Sequence, residues 1–414
     1  MYKYFLLILL LSFFKANAQE VEIRSLKTYI DDPAIEQDEI TFPVLVYDAE
    51  LNPNLKISFD VNSEFEPRLS IVFRFCDKNW KPYTNLMLTN SGENILPYLN
   101  FTLLPSTIED AKYHYDGTFP DADGYITLPF SGKWQYYITE SNDTSVIYAS
   151  GKFLVVRDPL EMRTSIKREI LETQVLFPAD LAKVFNLSVE LTLPEDLFPF
   201  YVENAEIIEN HKILYPFKVS KGDNNDFRQF YWDGSRRFRF TSKEIKPGNE
   251  YRQTDLRNTN IYSRKTVKAQ FEGPETSRFF QEGRRDLNGA SILMPYDDEY
   301  ADYLNVEFNL RAPSDFNKDV LVTGAFNNWV LDPAYRLGNS GGFYTGVLNM
   351  KRGIYDYQYV AANVTNNKIS EIDWVILEGN NWTTQNVYHV FIYYADPNLG
   401  GYDRIIGYST IMSK

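Results

Sequence analysis

A chain of 414 residues with 56 acidic against 42 basic side chains, for a formal net charge of −14, is a poor match for the basic grooves that bind nucleic acid. The single cysteine, Cys76, excludes an intramolecular disulfide, so stability has to come from core burial. The length suits two to four domains, and an aromatic content of 16%, with 30 Tyr and 29 Phe, favours sheets whose tyrosines pack flat and keep a polar tip.

In chain order, Lys3, the apolar run from Phe5 to Phe14 and the small-residue site Ala16-Asn-Ala18 predict an export signal over residues 1–18. The apolar run is too short to span a bilayer core, which takes about twenty residues, and no later stretch is long enough. Gln19 rather than Cys follows the cleavage site, which argues against a lipid anchor. The expected product is an unanchored periplasmic chain beginning at Gln19.

Residues 19–158 read as a first β-sandwich. Ile40–Val46 and Leu55–Val61 are predicted strands joined by a turn at Asn52-Pro-Asn54. Leu55, Ile57, Phe59 and Val61 alternate with Lys56, Ser58 and Asp60, the pattern of a half-buried strand. Leu69–Phe75, Ser131–Ile138 and Lys152–Val156 complete the set. Between them Cys76–Asp116 forms a long aromatic insertion carrying Trp80, Tyr98, Tyr113, His114 and Tyr115, and long insertions often face partners.

Asp158-Pro159 marks a boundary, and residues 159–296 read as a middle β-domain. Its predicted strands are Phe185–Leu193, Tyr201–Ile208 and Arg236–Thr241, with weak helical periods near Ile166–Leu176 and Pro178–Val184. Arginines gather here at 228, 236, 237, 239, 252, 257, 264, 284 and 285, against the acidic trend of the chain. Asp297 to Asp302 then forms an acidic hinge into a third sandwich over 297–394. A tail over 395–414 follows, with Ile405, Ile406 and Tyr408 expected to pack back.

Candidate chemistry is sparse. His114, His211 and His389 fall in three different predicted domains, so each reads as a structural histidine. No nucleophile elbow, phosphate loop, dinucleotide fingerprint or zinc-protease motif occurs, and no catalytic residue, cofactor or metal is assigned. Asp121-Ala-Asp-Gly124 opens like a calcium loop but lacks the closing Glu, Gly132 standing in its place, and reads as a turn.

Asp319–Gly324 alternates as a strand, with Gly324 placed to let a neighbouring backbone approach. Phe326-Asn-Asn-Trp329 turns the chain, and Tyr355, Tyr357 and Tyr359 alternate in a second strand. This pair resembles the early-set sandwich of glycogen-binding modules, over Leu304 to Tyr394. The resemblance implies a sugar platform at Trp329, with Trp374 or Trp382 as a second face and Asn386 as a hydroxyl partner. It departs at Gln358, where those modules place a Lys.

Over the whole exported chain, Ile40-Thr-Phe-Pro-Val-Leu, Phe73-Arg-Phe-Cys-Asp-Lys-Asn-Trp80, Tyr113-His-Tyr115, Ser131-Gly-Lys-Trp and Tyr402-Asp-Arg-Ile-Ile-Gly-Tyr408 resemble the plug proteins of the type IX secretion system. That resemblance implies an all-β, non-enzymatic periplasmic protein. Its implied partner is a large outer-membrane translocon barrel whose periplasmic mouth it blocks. The competing expectation is a carbohydrate-binding accessory protein using Trp329, Trp382 and Asn386.

Overall fold

Leu55, Ile57, Phe59 and Val61 are all buried along one strand, as their alternation predicts, and around them the first of three sandwiches forms. The computed structural model describes residues 21–31, 39–48, 52–90, 92–171, 179–271, 273–277 and 286–413. The expected export signal, Gln19, Arg284 and Arg285 lie outside the described residues. The fold is nearly all β, and no helix among the described residues is long and apolar enough to cross a membrane.

The first sandwich holds β1 (Glu22–Asp31), β2 (Val44–Tyr47), β3 (Asn54–Asn62), β4 (Leu69–Cys76), β5 (Ile95–Leu96), β6 (Thr102–Leu103), β7 (Tyr113–Phe119), β8 (Gly132–Glu140) and β9 (Asp143–Arg157). One sheet runs β1-β3-β7-β6 and the other β2-β9-β8-β4-β5. Phe59, Phe73, Trp134, Tyr136 and Phe153 fill the space between them. β2 and β3 are therefore not partners across a turn: β2 pairs in parallel with β9 and β3 with β1 and β7. Covering both apolar faces requires successive strands to change sheet.

The middle sandwich opens with β10 (Met162–Ile170), β11 (Lys183–Thr192), β12 (Val202–Glu209), β13 (Phe217–Ser220), β14 (Arg228–Trp232) and β15 (Arg237–Ile245). The helical period expected near Ile166 gives way to β10, which pairs with β11 continuously from Met162↔Leu191 to Ile170↔Lys183. Of the second helical candidate, one 3-10 turn over Ala179–Ala182 is helical, and Lys183 and Val184 begin β11.

The third sandwich comprises β16 (Arg252–Asp255), β17 (Thr266–Lys268), β18 (Glu275–Thr276), β19 (Ser291–Leu293), β20 (Tyr303–Arg311), β21 (Asp319–Gly324), β22 (Gly338–Ser340), β23 (Phe343–Lys351), β24 (Gly353–Thr365) and β25 (Lys368–Asp373). β24 is its spine, pairing with β16, β19, β21 and β25. Tyr355, Tyr357 and Tyr359 of β24 all point into the core. Gly324 meets the backbone of Asp356 and Tyr357 so closely that a Cβ there would lie 2.6 Å from Tyr357 Cβ.

Two boundaries move. β16 to β19 pair within the third sandwich, which thus begins at Arg252 rather than after residue 296. β26 (Val387–Asp396) and β27 (Tyr402–Met412) return to the middle sandwich in the sheet order β13-β12-β26-β27. The strand ending at Tyr394 and the tail after it thus complete the middle core, with Val390, Ile392, Tyr394 and Ile406 buried there.

Candidate functional site at the sandwich junctions

Trp329 owes its position to the turn before it. Asn327 Oδ1 accepts from Thr323 Oγ1 at 3.0 Å and from the Gly324 amide at 3.1 Å, while its Nδ2 donates to the Val330 carbonyl at 2.9 Å. Asn328 and Trp329 then take left-handed φ values of 54° and 59°. For a bulky side chain that geometry costs about 1–3 kcal/mol, held here by what the indole gains inside. Trp329 is only 1% exposed, and its Nε1 donates to the Gly289 carbonyl at 2.7 Å.

The tilted ring of Tyr251 lies 4.5 Å from the Trp329 ring. Asn210 Nδ2 donates to Tyr251 Oη at 3.0 Å and to Asn386 Oδ1 at 2.9 Å. Asn386 Nδ2 in turn donates to the Pro247 carbonyl at 2.7 Å. Trp329 and Asn386 are thus two ends of one buried chain, with no open indole face for a pyranose. Trp382 sits apart, packed on the middle core with its Nε1 donating to the Val184 carbonyl at 3.2 Å. At the Gln358 position, Nε2 donates to the Trp374 carbonyl at 2.9 Å.

A residue with no periodic or motif signal, Lys212, occupies the aromatic cage instead. Its ammonium pairs with Glu209 at 2.6 Å and lies 4.6 Å from the Trp374 ring centroid and 5.2 Å from that of Tyr251. Beside it opens a cleft of about 290 Å³ between the middle and third sandwiches. Glu378, on its wall, accepts from Arg252 Nε at 2.8 Å, and Arg252 also reaches Glu275 at 3.0 Å. Glu275 accepts from the Tyr357 and Tyr359 hydroxyls. Burial outweighs Arg252 and holds the Glu275 carboxyl above its usual range.

The first sandwich is joined to both others by buried charge. Asp60 Oδ1 accepts from His114 Nδ1 at 2.7 Å, and Oδ2 accepts from Lys351 Nζ and Tyr303 Oη, each at 2.7 Å. Tyr296 stacks on the His114 ring at 4.0 Å. Towards the middle sandwich, Lys133 Nζ lies 2.8 Å from Glu206, which also pairs with Lys218 at 3.0 Å and accepts from Tyr393 Oη at 3.1 Å. At the three-way junction Lys27 Nζ donates to the Ala325 carbonyl, and burial brings its pKa down to about 7.

Of the three histidines expected in separate domains, His211 and His389 come together, while His114 stays with Asp60. His389, on β26, stacks on Phe42 at 3.9 Å, and His211 meets the edge of the same ring at 6.0 Å. Burial lowers both, His211 to about 4 with help from the Lys27 charge and His389 to about 3 with help from His211. Asp121 accepts from the Tyr125 and Ile126 amides at 3.0 and 2.6 Å, the arrangement of a turn.

The arginine-rich stretch does not act as one basic face. Arg236 donates to the Pro194 and Leu197 carbonyls, Arg239 pairs with Glu190 at 2.6 Å, Arg257 pairs with Asp255 at 2.8 Å, and Arg252 is buried. In the insertion, β7 is a core strand that buries His114 and Tyr115, and Trp80 leans over the Lys133 ammonium at 4.9 Å. Its exposed apolar side chains are Leu86, Met87, Tyr98 and Leu103, each more than 60% exposed. A second exposed group, Phe198, Phe200 and Tyr231, lies on the middle sandwich.

No family model matches this chain, and no curated protein matches it in sequence. The crystal structure of a hypothetical protein from Parabacteroides merdae ATCC 43184 superimposes with a TM-score of 0.72 at 18% identity, over 95% of this chain and 98% of that one. An alignment with a structure described as bearing on host cell surface retention of a bacterial ice-binding adhesin has a TM-score of 0.13 at 8% identity, too low to carry any argument. The arrangement of all three sandwiches is therefore shared with the Parabacteroides merdae protein, and the likeness extends to the fold alone.

Proposed function

We propose that this protein is a non-enzymatic, exported subunit that occludes the periplasmic opening of a large outer-membrane translocation barrel, as the plugs of the type IX secretion system do. The observation that carries this reading is the locking of three sandwiches by buried charge: Asp60 of the first with Lys351 of the third, and Lys133 of the first with Glu206 of the middle one. Breaking such a pair strands a charge in a low dielectric, so the sandwiches resist hinging. A body that is already rigid loses little freedom on docking, which a seal over a wide opening requires.

Among polar neighbours such as Lys81, Glu93 and Glu109, the insertion also leaves large hydrophobic side chains exposed: Leu86, Met87, Tyr98 and Leu103. Aromatic residues and Met are enriched at protein interfaces, so this surface suits a protein partner. A seal should bury at least the roughly 1,600 Å² of a standard interface.

The test is permeability. Deleting the gene should admit a large antibiotic normally excluded by the outer membrane, and deleting the barrel as well should restore exclusion. The complex should also co-purify from detergent-solubilised envelope. Unchanged permeability in the single deletion, with the barrel confirmed present, would overturn the proposal.

A further inference from the structure

We infer that the cavity where the three sandwiches meet binds a small oxyanion of phosphate or carboxylate size. Thr28 on β1 and Lys152 on β9 line it from the first sandwich, His211 from the middle one, and Ser291 on β19 with Asn328 from the third. It reaches the surface beside Ser150 and Asn328, both exposed. Its volume is about 100 Å³, below the roughly 300 Å³ at which pockets for drug-sized molecules begin. That suits a single small ion.

Charge decides what kind. No carboxylate lines this cavity among the described residues, in a chain with 56 acidic side chains. Lys27, 1% exposed, donates to the carbonyl of Ala325, which lines the cavity. No carboxylate pairs with Lys27 among the described residues, and its charge is felt at His211. A buried ammonium without a counter-charge is costly in a low dielectric, and an oxyanion supplies that charge.

Two donors are free to meet it. The Ser291 hydroxyl is buried without a hydrogen-bond partner, an exception among buried polar groups. The His211 ring meets the edge of Phe42 and makes no hydrogen bond among the described residues. Burial keeps that ring neutral, so it offers one N–H. A hydroxyl, an imidazole N–H and a nearby ammonium are donors of the kind that oxyanions accept from. A cation here would meet Lys27 and Lys152 with no acid to offset them, and a neutral molecule would leave the Lys27 charge unmatched.

The experiment titrates sodium phosphate and sodium acetate separately into the full exported chain by calorimetry in low-salt buffer, with acetamide as the neutral isostere of acetate. Binding should be seen and should weaken as sodium chloride rises. Phosphate alone marks a phosphoryl group as the ligand, acetate alone a carboxylate, and both together a site for either. Ser291→Ala and His211→Leu should each weaken binding at least about tenfold, as loss of one hydrogen bond to a charged group does. Ser291→Ala removes a hydroxyl that bonds nothing else, so its thermal unfolding should match the parent's, and it stays informative if His211→Leu fails to fold. Binding of neither anion, equal binding of acetamide, or parental affinity in folded Ser291→Ala would each overturn the inference. Membrane permeability plays no part in this readout, so the inference and the occlusion proposal stand or fall separately.

Discussion

Lys351, the last residue of β23 in the third sandwich, places its ammonium 2.7 Å from Asp60 on β3 of the first, with both side chains almost wholly buried. The two residues are 291 positions apart. Tyr303 and His114 close the remaining carboxylate positions, so Asp60 is the node at which two sandwiches meet.

Removing one partner should therefore be costly. Lys351→Met leaves Asp60 buried with its charge under-compensated, and should lower unfolding stability by about 3–5 kcal/mol in urea. Combining it with Asp60→Asn should recover part of that loss. A double variant whose loss equals the sum of the Lys351→Met and Asp60→Asn losses would show that the pair is not coupled.

Asp60 also makes the junction acid-labile. Burial alone would raise its pKa, but the His114 hydrogen bond and the Lys351 charge bring it below the ordinary 3.8. A depressed carboxyl contributes stability that is present above the unfolded pKa and lost as pH falls through the folded one. His211 and His389, lowered to about 4 and about 3 from an ordinary 6.5, bind protons less readily folded than unfolded, so stability also falls as pH drops below 6.5. His389→Gln should flatten the stability profile between pH 6.5 and the acid transition, measured by denaturant unfolding.

Lys27 works in the opposite range. Its pKa falls from 10.5 to about 7 through burial, so above pH 7 the unfolded chain holds more protons than the folded one. Stability contributed at this site should rise between about pH 7 and 10, by at most about 1.4 kcal/mol per unit. Lys27→Met removes the titration, and its advantage over the parent should shrink steadily across that window. A constant difference would refute the depressed value.

Trp329→Ala should destabilise the full chain by about 3–5 kcal/mol, the usual cost of emptying a buried Trp site. Trp329→Phe should lose less, since it keeps the contact with Tyr251 and forfeits the bond to Gly289. Unchanged urea unfolding of Trp329→Ala would contradict the buried position.

Truncation after Ala395 removes β27 and uncovers β26, whose register with β27 runs from Val387↔Met412 to Asp396↔Tyr402. Ile405 and Ile406 leave two cores, so the middle sandwich should lose cooperative unfolding and the chain should aggregate. A truncated chain with parental circular dichroism and melting would show that the returning strand is dispensable.

Alternation was readable residue by residue. The faces of β3, β21 and β24 are those that Leu55–Val61, Val320–Val322 and Tyr355–Tyr359 announce, because a strand's period of two is a local property. So were the turn at Asn327–Asn328, the close approach at Gly324 and the inward packing of Ile405 and Ile406. Pairing is not local. That β16 belongs with β24, that β26 pairs with β12, and that the weak helical period at Ile166 yields to β11 were decided by which edges find partners across long stretches of chain. The junctions were hidden for the same reason: Asp60 and Lys133 look like the polar side of ordinary strands, and Lys212 follows no pattern. Their chemistry arises only when the third sandwich, set between β15 and β26, folds against the other two and removes water from charges that the linear order keeps apart.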